Sequence, residues 1–180
     1  MESTVLKFDR TARALHWVSA VVIIWAMLSG ILVSFIPSTA QSQTTFLQDV
    51  KQVIADFNVS LTMLYIPFFI WRVAHAVRTK KPSYSETLPT AQVKVAHLAH
   101  ICMYNLIAIL LVSGVLMMDR PFGMFGLWSM EPIVTDKTWL LFYFTIHKYS
   151  SYILFAFIIM HLGALVKHQY SGNRILQRMW

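Results

Sequence analysis

Two histidines in the last hydrophobic segment have the spacing and the residue type needed to bind metal cofactors. His147 and His161 are fourteen residues apart, so in an α-helix they lie within about 40° of each other around the axis and about 21 Å apart along it. Neutral imidazole is the commonest protein ligand of transition metals, and an ionisable side chain inside a bilayer marks a functional site by default. The pair therefore predicts a helix that offers one imidazole to each of two stacked metal cofactors. The alternative interpretation is that both rings only hydrogen-bond to neighbouring helices.

The composition places these histidines in a membrane. Of the 180 residues, 57% are hydrophobic and only 13% are charged, and the mean hydropathy is +0.56. Four apolar stretches are long enough to cross a bilayer as helices; they cover residues 11–36, 53–77, 93–118 and 139–168. Because these spans take up most of the chain, we expect a single membrane domain over residues 1–180. The single cysteine, Cys102, excludes an internal disulfide and a cysteine-ligated iron–sulfur cluster.

The charged residues predict how the spans are oriented. Lysine and arginine are concentrated near the two termini and in the loop between the second and third spans, whereas the other two loops together are nearly neutral. Since loops rich in lysine and arginine stay in the cytoplasm, both termini are expected on the cytoplasmic side. The same distribution explains the net charge of +7 without a nucleic-acid partner, because the basic residues follow the loops. Membrane lipid is the expected surrounding partner.

Short connections make consecutive spans antiparallel neighbours, so the predicted fold is an all-α, transmembrane, up-down-up-down four-helix bundle. In such a bundle, side chains of facing helices build an internal cofactor site. His16 lies about 9 Å inside the cytoplasmic end of the first span, and His161 lies about 10 Å inside that end of the fourth span. Two imidazoles at one depth on different helices are what a six-coordinate haem iron requires.

Two glycines are placed at the depth of His147. Gly30 follows His16 by fourteen residues. Gly114 follows His100 by the same number, so each glycine lies about 21 Å from its histidine along the bundle. A missing side chain there leaves room for a flat macrocycle. The alternative is close helix packing through small residues, which is common in membranes.

Local signals predict one helix start and one structured loop. Asp9 is expected to cap the first helix, because an aspartate side chain accepts hydrogen bonds from the first free backbone amides. Pro67 lies inside the second span and predicts a kink there. The loop of residues 119–137 mixes proline and glycine with aromatic residues, which favour the headgroup zone. We therefore expect an interfacial cap between the third and fourth spans.

The chain resembles the bacterial cytochrome b561 family of four-helix membrane proteins that hold b-type haem. The resemblance consists of a histidine near the start of the first span, an HxxH pair that opens the third, and two histidines fourteen apart in the fourth. The matching stretches are RALHW, HLAHICMYNL with SGVLMM, FGLWSMEP, and IHKYSSYILFAFIIMHLGALVKHQY with ILQRM. The resemblance extends over essentially the whole chain. It implies two haems, one between the first and fourth spans near the cytoplasm and one between the second and fourth spans near the outer face.

Carried over by position, the resemblance implies that His16 and His161 are the axial ligands of the cytoplasmic-side haem. It likewise implies that His147 is the fourth-span ligand of the outer haem. The chain departs from the family at Asn58, which stands where the family has a histidine in the second span. A carboxamide is not among the usual ligands of haem iron. The outer haem is therefore absent, five-coordinate on His147, or completed by a methionine; the candidates are Met63, Met117 and Met118.

Other residues toward the cytoplasmic end have competing interpretations. His97 and His100 are adjacent on one face of the third span, where hydrogen bonds to haem propionates or to other helices are expected before ligation. His75 is expected to reach the membrane interface. The remaining candidates form either a quinone or propionate pocket, or contacts with lipid phosphates; they are His168, Arg72, Arg78 and Lys94.

These features predict an electron-transfer protein of the bacterial inner membrane, which exchanges electrons between the quinone pool and an unidentified donor or acceptor at the outer face. Haem b is the expected cofactor, and the protein supplies ligation, burial and orientation. The sequence leaves open whether the protein is itself an oxidoreductase. One alternative is a haem-based sensor or enzyme for dioxygen or superoxide, with Asn58 beside an open iron position. Another is a membrane anchor subunit of a larger electron-transfer complex.

Overall fold

Four long helices make up most of the computed structural model, which describes residues 6–36, 45–80, 82 and 88–180. The helices are α1 (Arg10–Phe35), α2 (Thr45–Arg78), α3 (Thr90–Leu116) and α4 (Lys137–Tyr170). Each is long enough and apolar enough to cross a membrane. The chain is a multi-pass membrane protein with an all-α, four-helix fold, and the fold class predicted from hydropathy is confirmed.

Two helix starts are fixed by aspartate caps. Asp9 Oδ1 accepts a hydrogen bond from the amide of Ala12 at 2.9 Å, which confirms the predicted cap of α1. Asp136 Oδ1 accepts from the amides of Thr138 and Trp139 at 2.8 and 3.2 Å, and so begins α4. Each carboxylate satisfies backbone donors that have no partner within the helix. Both transmembrane helices that carry the candidate ligands therefore start at a defined residue.

α2 is longer than its apolar span. It begins at Thr45, well before the predicted start at residue 53, because adding a residue to an existing helix costs little once the first turn has formed. The helix continues through Pro67 without interruption. α1 ends at Phe35, one residue before the predicted end of the first span, and Ile36 is its C-terminal cap. Most of the loop between α2 and α3 lies outside the described residues.

The bundle is built from two helix pairs around one central cluster. α1 packs along α2, α3 packs along α4, and a smaller contact between α2 and α3 joins the two pairs. The buried side chains that meet at the centre are Val22, Tyr65, Phe69, Ile107 and Leu154, so every helix contributes to the core. Around this core the helices expose many large apolar side chains, as expected of surfaces that face lipid.

Leu154 shows which face of α4 points into the bundle. Its side chain is 1% exposed, and it lies seven residues from both His147 and His161. Seven residues correspond to about 20° short of two full turns, so all three side chains lie on one face. The prediction that the two histidines share a face is therefore confirmed, and that face is the buried one.

The loop between α3 and α4 packs against the N-terminal half of α2, at Asp56 and Ser60. Two short antiparallel strands, β1 (Phe122–Gly123) and β2 (Ser129–Met130), form a hairpin. Ser60 Oγ on α2 accepts a hydrogen bond from the amide of Phe125 at 3.0 Å. Arg120 donates to Asp56 Oδ1 at 3.0 Å. The loop is an ordered cap, as predicted, but its anchor on α2 and its strand pairing were not predicted.

The other end of the bundle is closed by the last residues of the chain. A 3-10 helix (Leu176–Met179) follows α4 and folds back against the start of α1. Trp17 Nε1 donates to the carbonyl of Met179 at 2.9 Å, and the amide of Phe8 donates to the carbonyl of Arg178 at 3.0 Å. The Trp17 ring also contacts His16, with ring centroids 5.6 Å apart. This segment therefore covers the end of the bundle next to His16.

Candidate metal centre

Three histidines from three helices meet near the start of α1 and form what we call the three-histidine cluster: His16 on α1, His100 on α3 and His161 on α4. The ring centroids of His16 and His161 are 6.5 Å apart, and the ring planes are inclined by 54°. Those of His100 and His161 are 5.4 Å apart in an edge-to-face contact. The prediction that His16 and His161 lie at one depth is confirmed. The contact of His100 with His161 was not predicted, because it depends on how α3 is rotated about its axis.

The spacing of His16 and His161 fits a metal centre with one imidazole on each side. A bond from a metal to an imidazole nitrogen is about 2 Å long, so two rings on opposite sides of one ion have centroids about 6 Å apart. The observed 6.5 Å agrees with this value, whereas the 5.4 Å between His100 and His161 is shorter.

Within the described part of the chain, no three histidine, cysteine or carboxylate side chains are placed to hold a bare metal ion. A facing pair of imidazoles suits a cofactor that supplies its own remaining ligands, as haem does. The donor set of the cluster therefore fits a haem iron better than an isolated ion.

Arg72 links α2 to the cluster. Its Nη2 lies 3.2 Å from His16 Nδ1, and its Nε donates to the hydroxyl of Tyr104 at 3.2 Å. The guanidinium carbon also lies 5.1 Å from the centroid of the Tyr104 ring. Among the described residues, the two ion pairs found are His75 with Asp9 and Arg120 with Asp56, and neither involves Arg72. Arg72 is thus a half-buried cation whose partners within the described structure are neutral.

The partner of His16 decides where its proton resides. A guanidinium has donors and no acceptor, so His16 Nδ1 must accept the hydrogen bond from Arg72. In a neutral imidazole the proton is then on Nε2. His100 has the opposite arrangement, because its Nδ1 lies 2.7 Å from the carbonyl oxygen of Ala96, to which it can only donate.

His147 lies against α3 at the other level of the bundle. Its Nδ1 is 3.1 Å from Ser113 Oγ. A Cβ added to Gly114 would lie 3.3 Å from Cε1 of the ring, so the two residues are at one level, as predicted. A Cβ on Gly30 would meet no atom of the other helices within 4 Å in the described structure. Of the two glycines, Gly114 is therefore the one that makes room for His147 itself.

Asn58, the residue that departs from the family pattern, has an unsatisfied side chain. Its Oδ1 is buried and has no hydrogen-bond partner among the described residues. A buried acceptor without a donor loses its hydration without compensation, at a cost of about 1–3 kcal/mol. A donor from a bound molecule or an ordered water would satisfy it.

Most of the other polar residues predicted near the cluster do not join it. His97, Arg78 and Lys94 are exposed. His75 Nε2 lies 3.3 Å from the capping carboxylate of Asp9, so it forms an ion pair when protonated. Among the described residues, Arg72 is therefore the predicted pocket cation whose contact with the cluster is seen, through His16.

A multi-pass helical membrane protein with two facing imidazoles beside a half-buried arginine belongs, by architecture and site, to the class of membrane cytochromes. The model of the prokaryotic cytochrome b561 family matches residues 7–180. The chain is a member of that family, and the resemblance inferred from its motifs is confirmed. It is accordingly a membrane protein that binds b-type haem and transfers electrons. A search of curated proteins found no match.

Proposed function

We propose that this protein transfers electrons within the bacterial inner membrane between the quinone pool and a donor or acceptor at the outer face, through haem b bound by His16 and His161. The main supporting observation is the 6.5 Å separation of these two imidazoles on facing helices. Both termini are proposed to be cytoplasmic, because the basic residues follow the loops on that side.

When bound, the haem supplies the one-electron chemistry, and the residues of this chain bind it, orient it and exclude water from it. His16 and His161 would hold its iron from two helices. The apolar centre of the bundle, where Leu154 is 1% exposed, excludes water from one side of the site formed by His16 and His161. The C-terminal segment that hydrogen-bonds to Trp17 covers the other side.

Ligation by His16 requires Arg72 to leave its ring. An imidazole that binds iron through Nε2 has its proton on Nδ1 and donates it to an acceptor, whereas Arg72 can only donate to Nδ1. The proposal therefore includes a movement of Arg72 from His16 to an anion. The propionate carboxylates of haem b are suitable partners, because a guanidinium binds a carboxylate with two parallel hydrogen bonds.

We expect Arg72→Leu to weaken haem retention by about tenfold or more, since a hydrogen bond to a charged group contributes about 1.5–3 kcal/mol. It should also lower the midpoint potential of the low-spin haem, because losing a nearby cation stabilises the ferric state. Arg72→Lys should keep most of the potential, and Arg78→Leu, on an exposed arginine of the same helix, is the matched control. Haem content and potentiometric titration measure both effects. A rise in haem content of Arg72→Leu would mean that Arg72 only competes for His16.

The protein's spectrum tests the proposed cofactor directly. A pyridine haemochrome assay of the purified chain, expressed with added haem, should give at least one b-type haem per polypeptide. The reduced-minus-oxidised difference spectrum should have the bands of a low-spin centre. A preparation that folds but contains no haem would refute the proposal at its first step.

The quinone partner is tested separately. The exposed apolar side chains of the helices face lipid, and quinones are dissolved in that lipid. In proteoliposomes, a lipid-soluble quinol should therefore reduce the haem in a reaction that saturates with quinol concentration. Absence of reduction, with dithionite reduction intact, would exclude the quinone step and leave the haem assignment standing.

A second candidate function concerns the side-chain amide of Asn58. If a haem on His147 has an open axial position beside this amide, Asn58 Nδ2 would donate a hydrogen bond to bound dioxygen or superoxide. The buried Oδ1 of the same amide can only accept. Carbon monoxide added to the reduced protein distinguishes the two functions, because it binds five-coordinate ferrous haem and not a centre with two strong axial imidazoles. An unchanged spectrum under carbon monoxide would rule out the sensor or enzyme function.

A further inference from the structure

Ser113 connects His147 to the backbone of α3. It is 2% exposed and is among the most buried polar residues described. Its Oγ lies 2.6 Å from the carbonyl oxygen of Ile109, one turn earlier, and 3.1 Å from His147 Nδ1. The hydroxyl therefore bridges a backbone acceptor and the imidazole of the neighbouring helix.

The hydroxyl proton can be assigned from these distances. Serine has one O–H donor, and the carbonyl of Ile109 can only accept, at the shorter distance of 2.6 Å. The lone pairs of Ser113 Oγ are then left for His147 Nδ1, so the ring must be the donor. A proton on Nδ1 leaves Nε2 of the neutral imidazole unprotonated.

We infer that Ser113 is a positioning residue, which keeps His147 in the tautomer that binds a metal through Nε2. Fixing the tautomer of a ligating histidine through the other ring nitrogen is a general feature of metal sites. Gly114 complements this role, because the His147 ring already lies 3.3 Å from the position that a Cβ would take. The inference rests on the proposed haem function, since it concerns how this chain prepares a ligand for haem iron.

The groups that contact His16 and His147 favour different tautomers of the two rings. At His16 the neighbouring group is a donor, Arg72, and the ring is held in the tautomer that cannot bind iron through Nε2. At His147 the neighbouring hydroxyl is an acceptor, and the ring is held in the tautomer that can. Haem binding therefore requires a rearrangement at His16 and none at the ring of His147.

The test replaces Ser113 by two side chains of the same shape. Ser113→Thr retains a hydroxyl that can bond the carbonyl one turn earlier, whereas Ser113→Val does not. The tautomer of His147 is read in the full-length protein in lipid by nitrogen NMR of ¹⁵N-histidine-labelled samples, with the resonance assigned by its loss in His147→Gln. Ser29→Ala is the control, because Ser29 is a buried serine whose hydroxyl donates to the carbonyl of Ala26 in its own helix.

We expect the wild type, Ser113→Thr and Ser29→Ala to have His147 protonated on Nδ1, and Ser113→Val to lose this preference. Haem bound at the His147 level should be weakened about 10–100-fold in Ser113→Val, the usual cost of removing the partner of a metal ligand. The low-spin haem of His16 and His161 should be unchanged. Circular dichroism confirms that the compared variants are folded.

Two results would overturn the inference: a wild-type His147 protonated on Nε2, or the same tautomer in Ser113→Val as in Ser113→Thr. Failure of the proposed function gives a different result, because a wild type without haem still has a measurable His147 tautomer. The NMR measurement thus decides the role of Ser113 in either case.

Discussion

Replacing His161 by alanine is expected to abolish the six-coordinate, low-spin haem spectrum, and His16→Ala should do the same. Each substitution removes one of the two axial bonds to the same iron, and the two rings are placed on facing helices for such a pair. The remaining haem should be high-spin or lost altogether. Optical spectra and electron paramagnetic resonance of the ferric protein measure the change, and both proteins must be compared at equal polypeptide concentration.

The same experiment has a matched control on α3. His97 is exposed, so His97→Ala should leave the low-spin signal unchanged. His100 is the more demanding comparison, because its ring contacts His161 and its Nδ1 is bonded to the carbonyl of Ala96. If His100→Ala removes the low-spin spectrum while His16→Ala retains it, α3 and not α1 supplies the second ligand. The assignment of His16 would then be wrong.

The sequence was sufficient to place the candidate ligands along the bundle and on a common face. Hydropathy located the four spans, and the 3.6-residue period placed His147 and His161 on one face of α4. The same counting put His16 and His161 at one depth. These results follow from helix geometry alone and need no knowledge of how the helices pack.

The contacts of the candidate ligands could not be predicted in the same way. A helix that is hydrophobic all round has no apolar stripe to define its rotation about its own axis. The sequence therefore does not determine which side chain of α2 contacts His16. Nor does it determine which side chain of α3 contacts His147. Arg72 and Ser113 are the two residues found in this way. For Arg72 the sequence does contain a signal, because an arginine inside a membrane span is unusual. A single serine such as Ser113 gives no such signal.

The hairpin between α3 and α4 was missed for a different reason. Its strands have two residues each, too few to produce an alternating pattern of polar and apolar residues. The close approach at Gly123, where an added Cβ would collide with the carbonyl oxygen of Trp128, explains the glycine there. A single glycine in a loop does not reveal which backbone approaches it.

Asn58→His is the substitution expected to change the His147 level most. We predict that the wild type holds a haem on His147, alone or with a weak second ligand, and that the new imidazole supplies the missing axial bond. A high-spin or five-coordinate centre would then become low-spin. The folded state should also become more stable, because a cofactor that binds only the native protein stabilises it, by about 2.7 kcal/mol at a hundred times its dissociation constant.

A second variant distinguishes ligation from relief of the unpaired amide. In the described part of the chain Asn58 Oδ1 is buried without a hydrogen-bond partner, so Asn58→Leu should raise thermal stability simply by removing that atom. It adds no ligand, and its haem content and spin state should match those of the wild type. Only Asn58→His should combine a gain in stability with a gain in low-spin absorbance.

Haem stoichiometry is measured side by side in the wild type, Asn58→His and Asn58→Leu, by haemochrome and electron paramagnetic resonance. It decides whether the space beside His147 still accepts a haem or is closed by side chains. If the pocket is closed, the introduced imidazole is a polar group without a partner inside a membrane bundle, and Asn58→His should lose stability without gaining absorbance. A wild type with one haem per chain, unchanged in Asn58→His, would contradict the prediction. It would leave His16 and His161 as the ligands of a single haem, and the hydrogen bond from His147 to Ser113 as a structural contact only.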